Sequence, residues 1–115
     1  MSLFGDYIKE RQKQEIVEDD DGFATFMIKP DGTCYIEDLY VVPDKRGPQS
    51  DGKGVAARYA DKICEIAKSR GCTKLLGSVV PSFPGSTENV KTLFKYGFSI
   101  KSCVNDFILF EKELI

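Results

Sequence analysis

Apolar positions along the chain follow two different periods, and the switches between them lay out the elements. Leu3, Phe4, Tyr7 and Ile8 make one stripe at helical spacing behind Ser2, which suits the cap of a helix that lies on a sheet and ends near Gln14. Strand-like segments run from Glu15 to Glu18 and from Phe23 to Lys29, and the acidic turn between them predicts an antiparallel hairpin. Pro30-Asp31-Gly32 is a second turn, in which proline sets φ and glycine takes the positive-φ position. It leads into a strand from Tyr35 to Val42. From Val55 to Arg70 the period is helical, with Val55, Tyr59, Ile63, Ile66 and Ala67 on one side and Arg58, Asp61, Lys62, Glu65 and Lys68 on the other. Lys68 and Arg70 suit the negative end of the helix dipole, and Gly71 suits the C′ position.

Lys74 to Val80 then reads as a buried strand, parallel to its predecessor because a helical crossover separates them. Pro81 to Ser86 is a loop rich in breakers. Thr87 is expected to cap a short helix with Val90, Leu93 and Phe94 inward and Gly97 at its end. Phe98 to Val104 and Phe107 to Glu111 close the chain as an antiparallel pair. The fold class is α+β: a mixed, largely antiparallel sheet with helices on both faces, in a single domain spanning residues 1–115.

Composition narrows the chemistry mainly through what is missing. The 115 residues include no histidine, so a Ser-His-Asp or Cys-His hydrolase and any zinc site using imidazole are excluded. An all-carboxylate metal site would have to use Glu18-Asp19-Asp20-Asp21, a run that reads as a solvated hairpin turn; no metal is expected. Net charge is −2 without a basic stripe, so nucleic acid is not an expected partner. No apolar run is long enough to span a membrane and no leader pattern opens the chain. Cys34, Cys64, Cys72 and Cys103 form no Cys-x-x-Cys pair and are expected to be reduced, mostly buried thiols in a cytoplasmic protein.

The stretch from Tyr35 to Gly71 carries the functional signal. A strand feeds a glycine-bearing loop, with Arg46, Gly47 and Asp51-Gly52-Lys53-Gly54, into the start of the long helix. Glycines let backbone amides approach a ligand, and a helix N-terminus presents unpaired donors at a positive dipole end. A phosphate-bearing ligand fits such a place; a tight turn is the plainer alternative.

Val41-x-Pro43, a basic loop residue and Gly54-Val55-Ala56 together resemble the GNAT superfamily of N-acetyltransferases, whose acetyl-CoA motif is a strand ending Val-x-Pro followed by Arg/Gln-x-x-Gly-x-Gly/Ala. The strand Tyr35 to Val41 is similar to the polyamine-acetylating branch, and Phe94-Lys95-Tyr96-Gly97-Phe98 resembles the second motif. The resemblance covers roughly residues 15–115 and implies a short member lacking part of the usual N-terminal region. It implies acetyl-CoA as cosubstrate, transfer to a small-molecule or protein amine by direct attack, and a homodimer that completes the shortened fold. By the same resemblance, Gly52, Lys53, Gly54, Val55 and Ala56 cradle the diphosphate. Tyr40, Val41 and Val42 pair with the pantetheine arm, where the motif strand splays from Lys74–Val80.

Two positions admit more than one reading. Counted forward from Pro43, Arg46 is the basic loop residue; counted back from Gly54, Asp51 stands there, and Gln49-Ser50-Asp51-Gly52-Lys53-Gly54 also satisfies the motif with the helix shifted. Leu93 occupies the place of the family's general-acid tyrosine, which leaves Tyr96 nearby as either a catalytic hydroxyl or a core residue. For the amine proton, strict alternation puts Glu37 on a face with Leu39 and Val41, an apolar setting that would raise its pKa and suit a general base. The alternative to an enzyme is a non-catalytic module on the same fold, binding acyl-CoA or another phosphate ligand or serving interaction alone.

Overall fold

A computed structural model describes residues 2–47 and 54–114. Along the chain run α1 (Leu3–Arg11), β1 (Glu15–Asp19), β2 (Gly22–Ile28), β3 (Thr33–Val41), a 3₁₀ turn (Pro43–Lys45), α2 (Val55–Ser69), β4 (Lys74–Val79), α3 (Ser86–Tyr96), β5 (Ser99–Val104) and β6 (Phe107–Glu113). They build a six-stranded sheet in the order β1-β2-β3-β4-β6-β5. β3 and β4 run parallel and the other neighbours antiparallel, as the mixed α+β pattern predicts.

The larger core lies between the sheet and α2. Val55, Tyr59, Ile63 and Ala67 come from the helix and meet Ala24, Phe26, Cys34, Val41, Leu75, Val79 and Phe110 from the strands. These helix positions recur every four residues, so one face is continuous and buried. α1 lies on the opposite face against β1, where Ser2 Oγ accepts from the Gly5 amide at 2.8 Å and donates to Glu18 at 2.9 Å.

The apolar stripe of α1 is shallower than its spacing suggests. Ile8 is 7% exposed, but Leu3 is 89% exposed, and Phe4 is covered only partly by its ring contact with Phe23. The helix also ends at Arg11, before the expected Gln14. The cap of α3 is likewise corrected: Gly85, at φ 82°, holds the N-cap position and Ser86 starts the helix, so Thr87 lies inside it. Phe94, expected inward, is half exposed and meets Phe110 edge-on. The acidic turn is not merely solvated. Arg58 reaches Asp19 at 3.0 Å and Asp21 at 3.1 Å, and Tyr59 donates to Asp19 at 2.5 Å, tying the hairpin to α2.

β3 carries the irregularity that matters most. Thr25 pairs with Asp38 and Phe26 with Ile36, so Glu37 is an extra residue, a β-bulge. A bulge reverses the alternation beyond it. Ile36 lies opposite Phe26 and Leu39 opposite Ala24, on the α2 face; Asp38 and Tyr40 lie opposite Thr25 and Phe23, on the α1 face. The expected face shared by Glu37, Leu39 and Val41 therefore does not exist, and Glu37 is exposed instead of enclosed by apolar side chains.

Candidate active site

β3 and β4 are paired only at their beginnings. Thr33, Cys34 and Tyr35 face Lys74, Leu75 and Leu76, after which β3 continues to Val41 and β4 to Val79 without pairing to each other. The strands part, as expected for a cleft between them. The edge left open on β3 is specific. The Val42 amide donates to the Asp21 carbonyl at 2.8 Å, so Gly22 and Val41 form a non-hydrogen-bonded pair. The N–H and C=O of Val41, and by alternation those of Leu39, then point away from β2 toward the split. Tyr40 turns its groups to the hairpin, as does the Val42 amide, whereas the Val42 carbonyl accepts from the Lys45 amide at 3.0 Å. The edge turned to the split is thus that of Leu39 and Val41, whereas the Tyr40 backbone is taken up by β2, a distinction that depends on hydrogen-bonding register and not on side-chain type.

At the wide end of the split stands the N-terminus of α2. Gly54 is its N-cap at φ 91°, without a side-chain cap, and the first turn holds no acidic residue. The amides of Val55, Ala56 and Ala57 have no partner within the helix, and the positive dipole end favours an anion there. A Cβ at Gly54 would come within 3.1 Å of the Gly47 carbonyl, so both the dihedral and the close approach call for glycine. Arg46 lies at the same end: its Nε donates to the Val41 carbonyl at 2.8 Å, and its guanidinium rests over the Tyr40 ring at 5.4 Å. Gly52, Lys53 and the competing Asp51 lie outside the described residues.

At the narrow end, the hydroxyls of Tyr35 and Ser78 are hydrogen-bonded to each other across the two strands. Leu93 sits over Gly77 at the same level, with its Cδ2 3.6 Å from where a Gly77 Cβ would be. It brings no exchangeable proton. The structure does not bring Tyr96 to the split. Its hydroxyl donates to Asp61 at 2.6 Å and lies 3.5 Å from Cys64 Sγ, and Lys112, which pairs with Leu75, lies over its ring. It therefore stands beside α2, level with the paired ends of the strands. Burial first, then the bonds to Asp61 and Cys64, push its phenol up, so it stays protonated as a packing and hydrogen-bonding residue.

The family model of the acetyltransferase (GNAT) family matches residues 6–88. A GNAT-family protein from Desulfovibrio desulfuricans has a TM-score of 0.76 at 15% identity, over 96% of this chain and 76% of that one. The PaiA N-acetyltransferase of Thermoplasma acidophilum, solved with coenzyme A, has a TM-score of 0.71 at 16% identity, over 96% and 69% of the two chains. The Bacillus subtilis acetyltransferase, solved with CoA, has 0.69 at 16% identity, over 96% and 84%. A search of curated protein sequences returns no match. At these identities structural likeness speaks for the fold, whereas the family match spans most of the chain and takes in β3, the loop and the start of α2. The chain belongs to the acetyltransferase (GNAT) family.

Proposed function

We propose that the protein is an N-acetyltransferase that moves an acetyl group from acetyl-CoA to a primary amine by direct attack. The observation that carries this is the parting of β3 from β4, with the backbone edge of Leu39 and Val41 turned to the split, the Val41 carbonyl held by Arg46, and the start of α2, which has no side-chain cap, at its wide end. Acetyl-CoA would bring the activated thioester. The backbone groups of Leu39 and the Val41 amide would pair with its arm, while the first-turn amides of α2, with Gly54 and Arg46, would meet its diphosphate. Glu37, exposed at the bulge, is the proposed acceptor for the amine proton, passing it to solvent. A homodimer is proposed as well, since β5 is an edge strand exposed along its length, with Ile100 and Val104 among its apolar residues; light scattering tests it.

One feature favours a second reading. Leu93 supplies no proton at the split, as suits a domain that binds acyl-CoA without turnover. Titrating CoA by calorimetry and following thiol release with a panel of amines separates the two. Binding with release supports the enzyme, binding without release supports the second reading, and no binding overturns both. In an active preparation, Glu37→Gln should lower kcat about 10- to 100-fold at neutral pH with CoA affinity unchanged. Equal rates across pH 6–9 would remove Glu37 from the proton path.

A further inference from the structure

We infer that the hydroxyl of Tyr35, hydrogen-bonded to Ser78 at the vertex of the split, is the proton donor to the leaving sulfur. The inference rests on the acetyl-CoA reading above and deepens it. An extended arm paired to the edge of β3 that faces the split has its anionic end fixed at the start of α2, so it enters between the strands from the wide end. It can advance only as far as β3 and β4 remain apart. From Tyr35 and Leu76 back to Thr33 and Lys74 the strands occupy each other's edges, and no third strand-like segment fits. The reactive end of the arm must therefore stop beside the place where the pairing begins.

Three kinds of group meet at that level. Leu93 approaches from the α2 face and is apolar. Tyr35 lies on the opposite face, because its partner Met27 is an odd step from Ala24 and Phe26, and Ser78 lies on the same face because Gly77 and Val79 take the other. Both are half-buried, and their hydroxyls are in contact. Glu37 follows Tyr35 closely along β3. A donor, its relay and a proton acceptor for the amine are thus gathered at one end of the split.

The proton balance is closed. The amine nitrogen forms the new N–C bond, and the C–S bond breaks with its electron pair passing to sulfur. Tyr35 gives its proton to that sulfur, the Ser78 hydroxyl proton moves to the Tyr35 oxygen, and solvent restores Ser78. The amine's surplus proton leaves through Glu37 to solvent. The products are the amide and the CoA thiol, and no other reactant is consumed.

The test is Tyr35→Phe, which keeps the ring over which Lys29 lies at 5.2 Å. Ser78→Ala serves as a second variant that leaves Tyr35 in place. CoA and desulfo-CoA are titrated by calorimetry at pH 7 and pH 9. A thiol ionises near pH 8.5, and a hydroxyl donating to sulfur favours the thiolate, so wild-type affinity for CoA should rise by roughly threefold or more over this range while desulfo-CoA does not follow. Tyr35→Phe should bind CoA normally at pH 7, lose that rise, and lower kcat by about 10- to 100-fold with an unchanged KM for acetyl-CoA. Ser78→Ala should show a smaller fall in kcat. Wild-type protein that binds no CoA would overturn the acetyl-CoA reading itself. Normal CoA binding, with the same pH rise and the same kcat in Tyr35→Phe, would overturn the assignment of Tyr35 alone.

Discussion

The Arg46 guanidinium turns back on its own strand and donates from Nε to the Val41 carbonyl at 2.8 Å. That carbonyl faces the open edge of β3, the edge proposed to pair with the pantetheine arm, so Arg46 holds the strand end in shape and keeps a positive charge beside the start of α2. Arg46→Ala should weaken CoA binding by about 1.5–3 kcal/mol, the worth of a charge-assisted hydrogen bond, and should flatten its salt dependence. Calorimetry at two salt concentrations checks this. A gain in affinity would instead mean that Arg46 blocks the edge, and an unchanged affinity with an unchanged salt slope would take the diphosphate away from this residue.

Thr25 has no exposed surface, and its Oγ1 accepts from the Asp38 amide at 3.1 Å, the residue next to the bulge. Thr25→Val fits the same space but removes the hydroxyl acceptor of the Asp38 amide, which should cost about 0.5–1.5 kcal/mol of stability. Thr25→Ser retains the hydroxyl and should keep the bulge. Urea denaturation of the two variants measures the difference. At a temperature where both are folded, thiol release should fall more in Thr25→Val, because the bulge sets the position of Glu37, the proposed acceptor for the amine proton. A Val variant as active as the Ser variant would separate the bulge from this hydrogen bond.

That bulge marks where sequence reading succeeded and where it stopped. Among the described residues, period and turn chemistry located each α-helix and strand, because α2, β4 and the β1–β2 hairpin have a face buried on one side and punctuation at both ends. Along β3 the apolar residues fall at Cys34 and Ile36, then at Leu39 and Val41, with Glu37 and Asp38 between them. This break in alternation is the signature of an inserted residue, yet strict period-two reasoning passes over it and assigns Glu37 to the wrong face. Within the candidate site, the need for glycine at position 54 and the place of Arg46 at the strand end were legible, because special backbone geometry or a long cation marks the position. The site was not legible at Tyr96, whose hydroxyl could turn to the split or to Asp61, a choice made by the packing of α3 on α2. Nor was the Tyr35–Ser78 contact, because it joins two strands across a crossover and depends on parallel register.

The four thiols supply a pH test of the core. All are free, with Cys34 and Cys72 buried and Cys103 exposed on β5. Burial foremost, then the neighbouring Cys72 and Cys64, push the Cys34 thiol up to about 12 from the usual 9.0. The fold thus favours the neutral thiol, so Cys34 contributes stability that is fully present below pH 9. Above pH 9 the unfolded chain ionises while the folded chain does not, and that contribution is lost as pH climbs toward 12. Wild-type urea midpoints should therefore fall more steeply between pH 9 and pH 11 than those of Cys34→Ala, whose midpoint is lower at pH 7 through the lost packing. Tyr59 and Tyr96, also pushed up first by burial, titrate in both proteins and cancel in the comparison. In native protein at pH 8 a thiol reagent should modify Cys103 quickly, and Cys34 only at the rate at which the sheet opens. Labelling of Cys34 as fast as Cys103, together with parallel pH curves for the two proteins, would show that the seam between β3 and α2 is open to solvent.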